Sequence, residues 1–152
     1  MVVQGVDIEK ELRSITDPEI PVLSIMDMGI VRKIEQFGDQ LEITITPTYT
    51  ACPAMDVIAS SIRLKLIELG FPKVTIKQVL VPAWTTDWIT AEGRKKLQEY
   101  GIAPPVKSEA PIQCPQCKSY HTEQISLFGS TACKALYKCL DCHEPFDYFK
   151  CH

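Results

Sequence analysis

Apolar and polar positions alternate in a way that changes period several times along the first hundred residues. Val6, Ile8, Leu12 and Ile15 fall at helical spacing, with Asp7 placed to cap the first turn. Thr16-Asp17-Pro18-Glu19-Ile20-Pro21 interrupts that pattern, and two prolines so close together predict an ordered loop. Residues 29–36 and 40–46 then read as two strands joined at Gly38-Asp39. In the second, Leu41, Ile43 and Ile45 alternate with Glu42, Thr44 and Thr46, which predicts one buried and one wet face. From Pro53 the period lengthens again. Ala54, Val57, Ile58, Ile62, Leu66 and Leu69 form one helical stripe, and Gly70 with Pro72 ends it. Proline suits the first helical position, where its missing N–H would be unpaired anyway. A third strand over 73–80 and a helix over 90–100 complete the pattern. Residues 1–103 thus predict an α+β domain, a small mixed sheet with helices in the order α-β-β-α-β-α.

Beyond residue 103 the apolar pattern fades. Residues 104–111 hold three prolines in eight positions and read as a linker. Residues 112–152 read as a small β domain, with a hairpin of strands 121–127 and 132–138 turning at Gly129-Ser130. So short a segment, poor in aliphatic side chains, needs another source of folding energy. Its cysteines supply one. Six of the chain's seven cysteines lie in the last 39 residues. Cys114 and Cys117 form one CxxC pair, Cys139 and Cys142 a second. Two such turns joined by a hairpin offer four thiolates to one ion, the pattern of a zinc ribbon. Zinc is the expected metal. The same four thiolates also suit a single iron, as in a rubredoxin-like electron carrier, or a cluster. Cys133, Cys151, His121, His143 and His152 are left over. They read either as a small core residue and a chain end or as a second, labile metal site.

Composition narrows the function classes. The net charge of the 152-residue chain is -3, carried by residues 1–105, while the remainder is neutral. No basic tract offers itself to a phosphate backbone, so no nucleic-acid partner is expected. No apolar run approaches the length of about 18 residues needed to span a bilayer, and no membrane association is expected. The first residues lack the apolar segment of a signal peptide, and the expected location is the cytoplasm. In that reducing compartment clustered cysteines read as metal ligands rather than disulfides. The sequence carries no signature of a particular oligomeric state.

Cys52 is the one cysteine of the first domain, directly before Pro53 and its helix. It reads either as a small buried residue or as a thiol whose ionised form the positive helix end favours. No histidine accompanies it in that domain, and neither a Gly-rich phosphate loop nor an HExxH motif occurs. The chain is therefore not expected to be an enzyme on its own.

Asp17-Pro18-Glu19-Ile20-Pro21, Ser24-Ile25-Met26-Asp27-Met28-Gly29-Ile30-Val31, and Thr46-Pro47-Thr48 with Cys52-Pro53 resemble the iron–sulfur assembly domain of SufT-type proteins and cytosolic iron–sulfur targeting factors. The tail, with Phe128-Gly129-Ser130-Thr131-Ala132-Cys133-Lys134-Ala135-Leu136-Tyr137-Lys138-Cys139, resembles the D subunits of the phenylacetyl-CoA epoxidase (ring 1,2-epoxidase) system. This resemblance implies an accessory protein of bacterial phenylacetate degradation that matures a metal centre of the multicomponent oxygenase. The iron–sulfur cluster of the reductase is the first expected target, the di-iron centre of the oxygenase the second. Cys52 would handle a transient iron or iron–sulfur cluster, with Asp17, Glu19 and Thr48 around it. A structural subunit of the oxygenase complex is the alternative the same resemblance allows.

Overall fold

The computed structural model describes residues 5–49, 52–106 and 110–150; Cys151 and His152 lie outside them. The chain forms two compact units, residues 1–90 and 91–152.

The first unit begins with helix α1, Ile8–Leu12, where the Asp7 carboxylate accepts the Lys10 N–H as the sequence predicts. The proline-rich stretch after it is a small antiparallel hairpin, β1 (Thr16–Asp17) and β2 (Ile20–Ser24), where a loop is expected. Asp17 makes the turn: its Oδ1 accepts the Glu19 N–H at 2.8 Å. Pro21 is exposed on this two-stranded ribbon, and an edge tolerates its missing donor.

A tight loop over residues 25–30 leads into β3, Val31–Phe37. Met28 N–H donates to Ser24 O, and Ile30 N–H to Ile25 O. Strand β3 pairs antiparallel with β4 (Gln40–Ile45), and β4 pairs parallel with β5 (Lys73–Gln78). A parallel pair needs a crossover, and helix α2, Ala54–Glu68, provides it. Leu41, Ile43 and Ile45 are fully buried, as are Ile62 and Leu66 of the helix. The expected stripe departs at one position: Val57 is half-exposed, turned about 100° around α2 from Ile58 and about 140° from Ile62. Pro53 stands one place before the first helical residue, as the cap. A 3-10 turn at Thr86–Trp88 closes the unit.

Helix α3, Ala91–Tyr100, opens the second unit. Strand β6 (Ile102–Ala103) follows and pairs parallel with β9 (Pro145–Phe149). With β7 (Thr122–Ser126) and β8 (Lys134–Cys139) they form one sheet of order β6-β9-β8-β7. Helix α3 and β6 are grouped with the ribbon, because β6 is hydrogen-bonded to the ribbon's last strand. The start of the expected linker is also held in this unit. Arg94 Nη1 donates to Pro105 O at 2.7 Å, and Val106 N–H to Tyr148 Oη at 3.3 Å.

The ribbon's interior is small and aromatic. Phe146 and Tyr148 pack with Ala103, Ala135, Cys114 and Cys139. Tyr137 covers them, its ring 5.9 Å from Phe146 and 5.4 Å from Tyr148. Aromatic rings bury enough area to stand in for the missing aliphatic residues.

Candidate metal centre and thiol site

Two backbone turns of the same design face each other in the second unit. In the first, Cys114 N–H donates to Ser119 O at 2.8 Å; in the second, Cys139 N–H donates to Glu144 O at 3.0 Å. Each spans six residues, and each contains a left-handed residue directly after its second cysteine, Lys118 at φ 64° and His143 at φ 65°. That conformation turns the next N–H back toward sulfur, Ser119 N–H toward Cys117 and Glu144 N–H toward Cys142. Within the second turn Cys142 N–H also lies 3.5 Å from Cys139 Sγ.

The turns bring Cys114, Cys117, Cys139 and Cys142 together, all four Sγ atoms within 4.8 Å of one another. Cys117 and Cys139 are 3.5 Å apart, Cys114 and Cys142 3.7 Å. Metal–sulfur bonds of about 2.3 Å in a tetrahedron require sulfur–sulfur edges of about 3.8 Å, so these residues fit one four-coordinate ion. Cys114 and Cys139 are buried, and Cys117 is exposed.

The thiols are electrostatically unequal. Hydrogen bonds from the Cys142 N–H, then the Asp141 N–H, draw the Cys139 thiol down to about 7 against desolvation. Cys142 is pushed up to about 12: the Glu144 N–H favours its thiolate, but desolvation and the three neighbouring thiols outweigh it. At Cys117 the Ser119 N–H favours the thiolate most, yet desolvation and the Cys139 and Cys114 thiols push the group up.

Around the sulfurs runs a polar bridge. Ser119 Oγ donates to Asp141 Oδ2, and His121 Nδ1 lies 3.2 Å from Asp141 Oδ1. Both partners hold the Asp141 carboxyl below its usual range, Ser119 more strongly. Sequence reasoning passes over Ser119 and Asp141. Asp141 is a spacer residue inside a CxxC pair, and its partner is 22 positions away. Cys133 lies elsewhere, buried, 3.0 Å from Thr131 Oγ1.

In the first unit Cys52 sits half-buried just before α2, its N–H on Tyr49 O at 3.2 Å. Thr48 Oγ1 is 4.0 Å from Cys52 Sγ, the outer limit of a hydrogen bond to sulfur. Tyr49 Oη donates to Glu19 Oε1 at 3.4 Å, tying the thiol loop to the β1–β2 hairpin. Glu19 is therefore linked to this loop through Tyr49. Asp17 is buried and holds the hairpin turn. Among the described residues, the one group of three or more Cys, His, Asp or Glu side chains converging on a point is the four-cysteine cluster. Asp17, Glu19 and Cys52 do not close such a cage with one another. Thr46, Pro47, Thr48 and Tyr49 line a cleft of about 90 Å³ with Leu80 and Trp84, and Thr46 Oγ1 is buried with no hydrogen-bond partner among the described residues.

Residues 103–150 match the PaaD zinc beta ribbon domain, and residues 6–79 match a family described as iron–sulfur cluster assembly protein. The D subunit assigned to the 1,2-phenylacetyl-CoA epoxidase of Escherichia coli is 51% identical over 146 residues, which is 92% of this chain and 88% of that protein. The chain belongs to the family of phenylacetyl-CoA epoxidase D subunits. An Fe-S protein maturation auxiliary factor of Porphyromonas gingivalis is 35% identical over 94 residues, 60% of this chain and 88% of that protein. Two solved structures share the fold. A domain of unknown function from Bacillus anthracis has a TM-score of 0.54 at 21% identity, covering 59% of this chain and 87% of its own. A conserved hypothetical protein of Thermotoga maritima has a TM-score of 0.53 at 23% identity, covering 64% and 98%. This D-subunit family thus joins an iron–sulfur assembly domain to a zinc ribbon with a four-cysteine cluster suited to metal. No helix among the described residues is long and apolar enough to cross a membrane.

Proposed function

We propose that this D subunit is a cytoplasmic assembly factor that matures a metal centre of the phenylacetyl-CoA epoxidase, first of all the iron–sulfur cluster of its reductase. The observation that carries the reading is Cys52: a half-buried thiol at the head of α2, beside Thr48, in a domain of the iron–sulfur assembly family. A thiolate there is a soft donor that can take iron or a cluster as cargo and release it, since Cys52, Asp17 and Glu19 form no closed cage. Thr48 and the Tyr49–Glu19 link hold the loop that presents the sulfur. The ribbon holds zinc at Cys114, Cys117, Cys139 and Cys142, where four thiolates leave no open position for chemistry. It is a folding staple and the surface that docks the epoxidase component. The chain catalyses no turnover by itself.

The test is Cys52→Ala in cells making the whole epoxidase. Metal content of the ribbon and the fold of both units stay as in the wild type, while the reductase is isolated poor in cluster. Full cluster occupancy in the reductase from cells lacking this chain would sink the proposal. The relative's designation as a subunit favours a second reading, a structural part of the oxygenase. Copurification in fixed stoichiometry, with unchanged cluster content, would select it.

A further inference from the structure

We infer that the Ser119–Asp141 side-chain bridge is a positioning device that sets how slowly the ribbon gives up its metal ion. The inference rests on the reading that the four cysteines hold that ion.

Each of the two residues already holds a ligand sulfur with its backbone. Ser119 N–H contacts the Cys117 sulfur, and Asp141 N–H contacts the Cys139 sulfur. Ser119 O also accepts the Cys114 N–H at 2.8 Å. These two residues, one in each turn, are joined by their side chains, Ser119 Oγ to Asp141 Oδ2. The bridge is itself braced. His121 N–H donates to Ser119 Oγ at 3.0 Å, and His121 Nδ1 lies 3.2 Å from the other carboxylate oxygen. Leu140 N–H donates to His121 O at 2.8 Å, which seats Asp141 opposite Ser119.

Exposure decides where this matters. Cys114 and Cys139 are buried, whereas Cys117 faces solvent. A competing ligand reaches the ion from the Cys117 side, and Cys117 is the first sulfur to swing away. Ser119 must move with it, because its N–H rests on that sulfur. The bridge to Asp141 anchors Ser119 to the opposite turn and opposes the movement. Hydrogen-bonding partners just outside the ligands commonly alter metal affinity about 10- to 100-fold. Here the change falls on the release rate, since the sulfur geometry itself is fixed by the two turns.

The experiment measures zinc transfer from the full chain to a chromogenic chelator, with cobalt(II) spectra of the same variants. Ser119→Ala and Asp141→Ala each speed release about tenfold and leave the tetrahedral cobalt bands unchanged. Asp141→Asn, which keeps an oxygen for Ser119 Oγ, releases at close to the wild-type rate. The double alanine variant is no faster than either single one, because both remove the same bridge. Single variants within twofold of wild type, multiplying effects in the double variant, or altered cobalt bands in either single variant would each overturn the inference. A wild-type chain that binds no stoichiometric zinc or cobalt would instead defeat the ribbon reading on which it stands.

Discussion

The two units hold themselves together by different means. The first has an aliphatic interior in which Leu41, Ile43, Ile45, Ile62 and Leu66 are all fully buried. The second has a few aromatic rings around Cys114 and Cys139. The first can expose a lone thiol at its surface because its core does not depend on that thiol. The second spends its cysteines on structure, and their geometry is fixed by paired turns. On the proposed function, the difference separates a place for cargo from a place for a resident ion.

Removing the metal is the strongest way to break this comparison. Structural zinc supplies on the order of 10 kcal/mol of folding free energy to small domains of this kind. Chelation at neutral pH, or Cys114→Ser, is expected to abolish amide protection in β7, β8 and β9. Protection in β4 and α2 stays at its wild-type level. Hydrogen exchange resolved by residue checks this, and simultaneous loss in both units would erase the distinction.

The same contrast explains what the sequence makes legible. Strand β4 is visible because Leu41, Ile43 and Ile45 alternate with polar residues over one buried face. Helix α2 is visible because its stripe is long and its ends are marked by Pro53 and Gly70. The two CxxC pairs announce a four-sulfur cluster by spacing alone. The misses share a physical cause, pairing between segments whose local pattern is too short to register. Pro18 and Pro21 look like chain breakers, yet one sits in a hairpin turn and the other on an open edge. Strand β6 is two residues long, and its partner β9 lies more than forty positions away. Within β9 the alternation of Phe146 and Tyr148 is a signal that a strand reading could have used. Ser119 and Asp141 give no signal at all, since a serine and an aspartate in polar turns look solvated until the turns are brought face to face.

Acid offers a graded version of metal removal. Every ligand must be a thiolate in the loaded site, so protons compete with the ion. In the empty site Cys142, pushed up to about 12, and Cys117, also raised, are protonated at neutral pH. Each gives up a proton on binding. Cys139, drawn down to about 7, adds another only as the pH falls below that value. The empty site binds more protons than the loaded one, so affinity falls with falling pH. The expected decline steepens by about tenfold per pH unit below 7, where Cys139 adds its proton. Competition titrations between pH 8 and pH 6 check the change of slope. A constant slope through pH 7 would remove Cys139 from its assigned place. The first unit, whose stability rests on apolar burial, is expected to keep its amide protection across the same range.

The smallest effect is aimed at the other side of the comparison. Gly29 has φ 71°, and a Cβ there would lie 2.6 Å from the Trp88 carbonyl oxygen and 2.7 Å from Trp88 Cβ. The left-handed conformation alone costs an alanine about 1–2 kcal/mol. Contacts that short force the segment carrying Trp88 to move, at about 1–3 kcal/mol more. That segment is well anchored: Arg32 stacks 3.6 Å over the Trp88 ring, and Thr90 N–H donates to Asp27 O at 2.9 Å. Gly29→Ala is therefore expected to destabilise the first unit by about 3 kcal/mol. Denaturant unfolding followed by Trp84 and Trp88 fluorescence measures the loss. Zinc release from the ribbon should be unchanged, because all four ligand cysteines lie in the second unit. A parallel loss of metal would mean that the two units share their stability, and the contrast between an aliphatic core and a metal-stapled one would no longer mark independent folding.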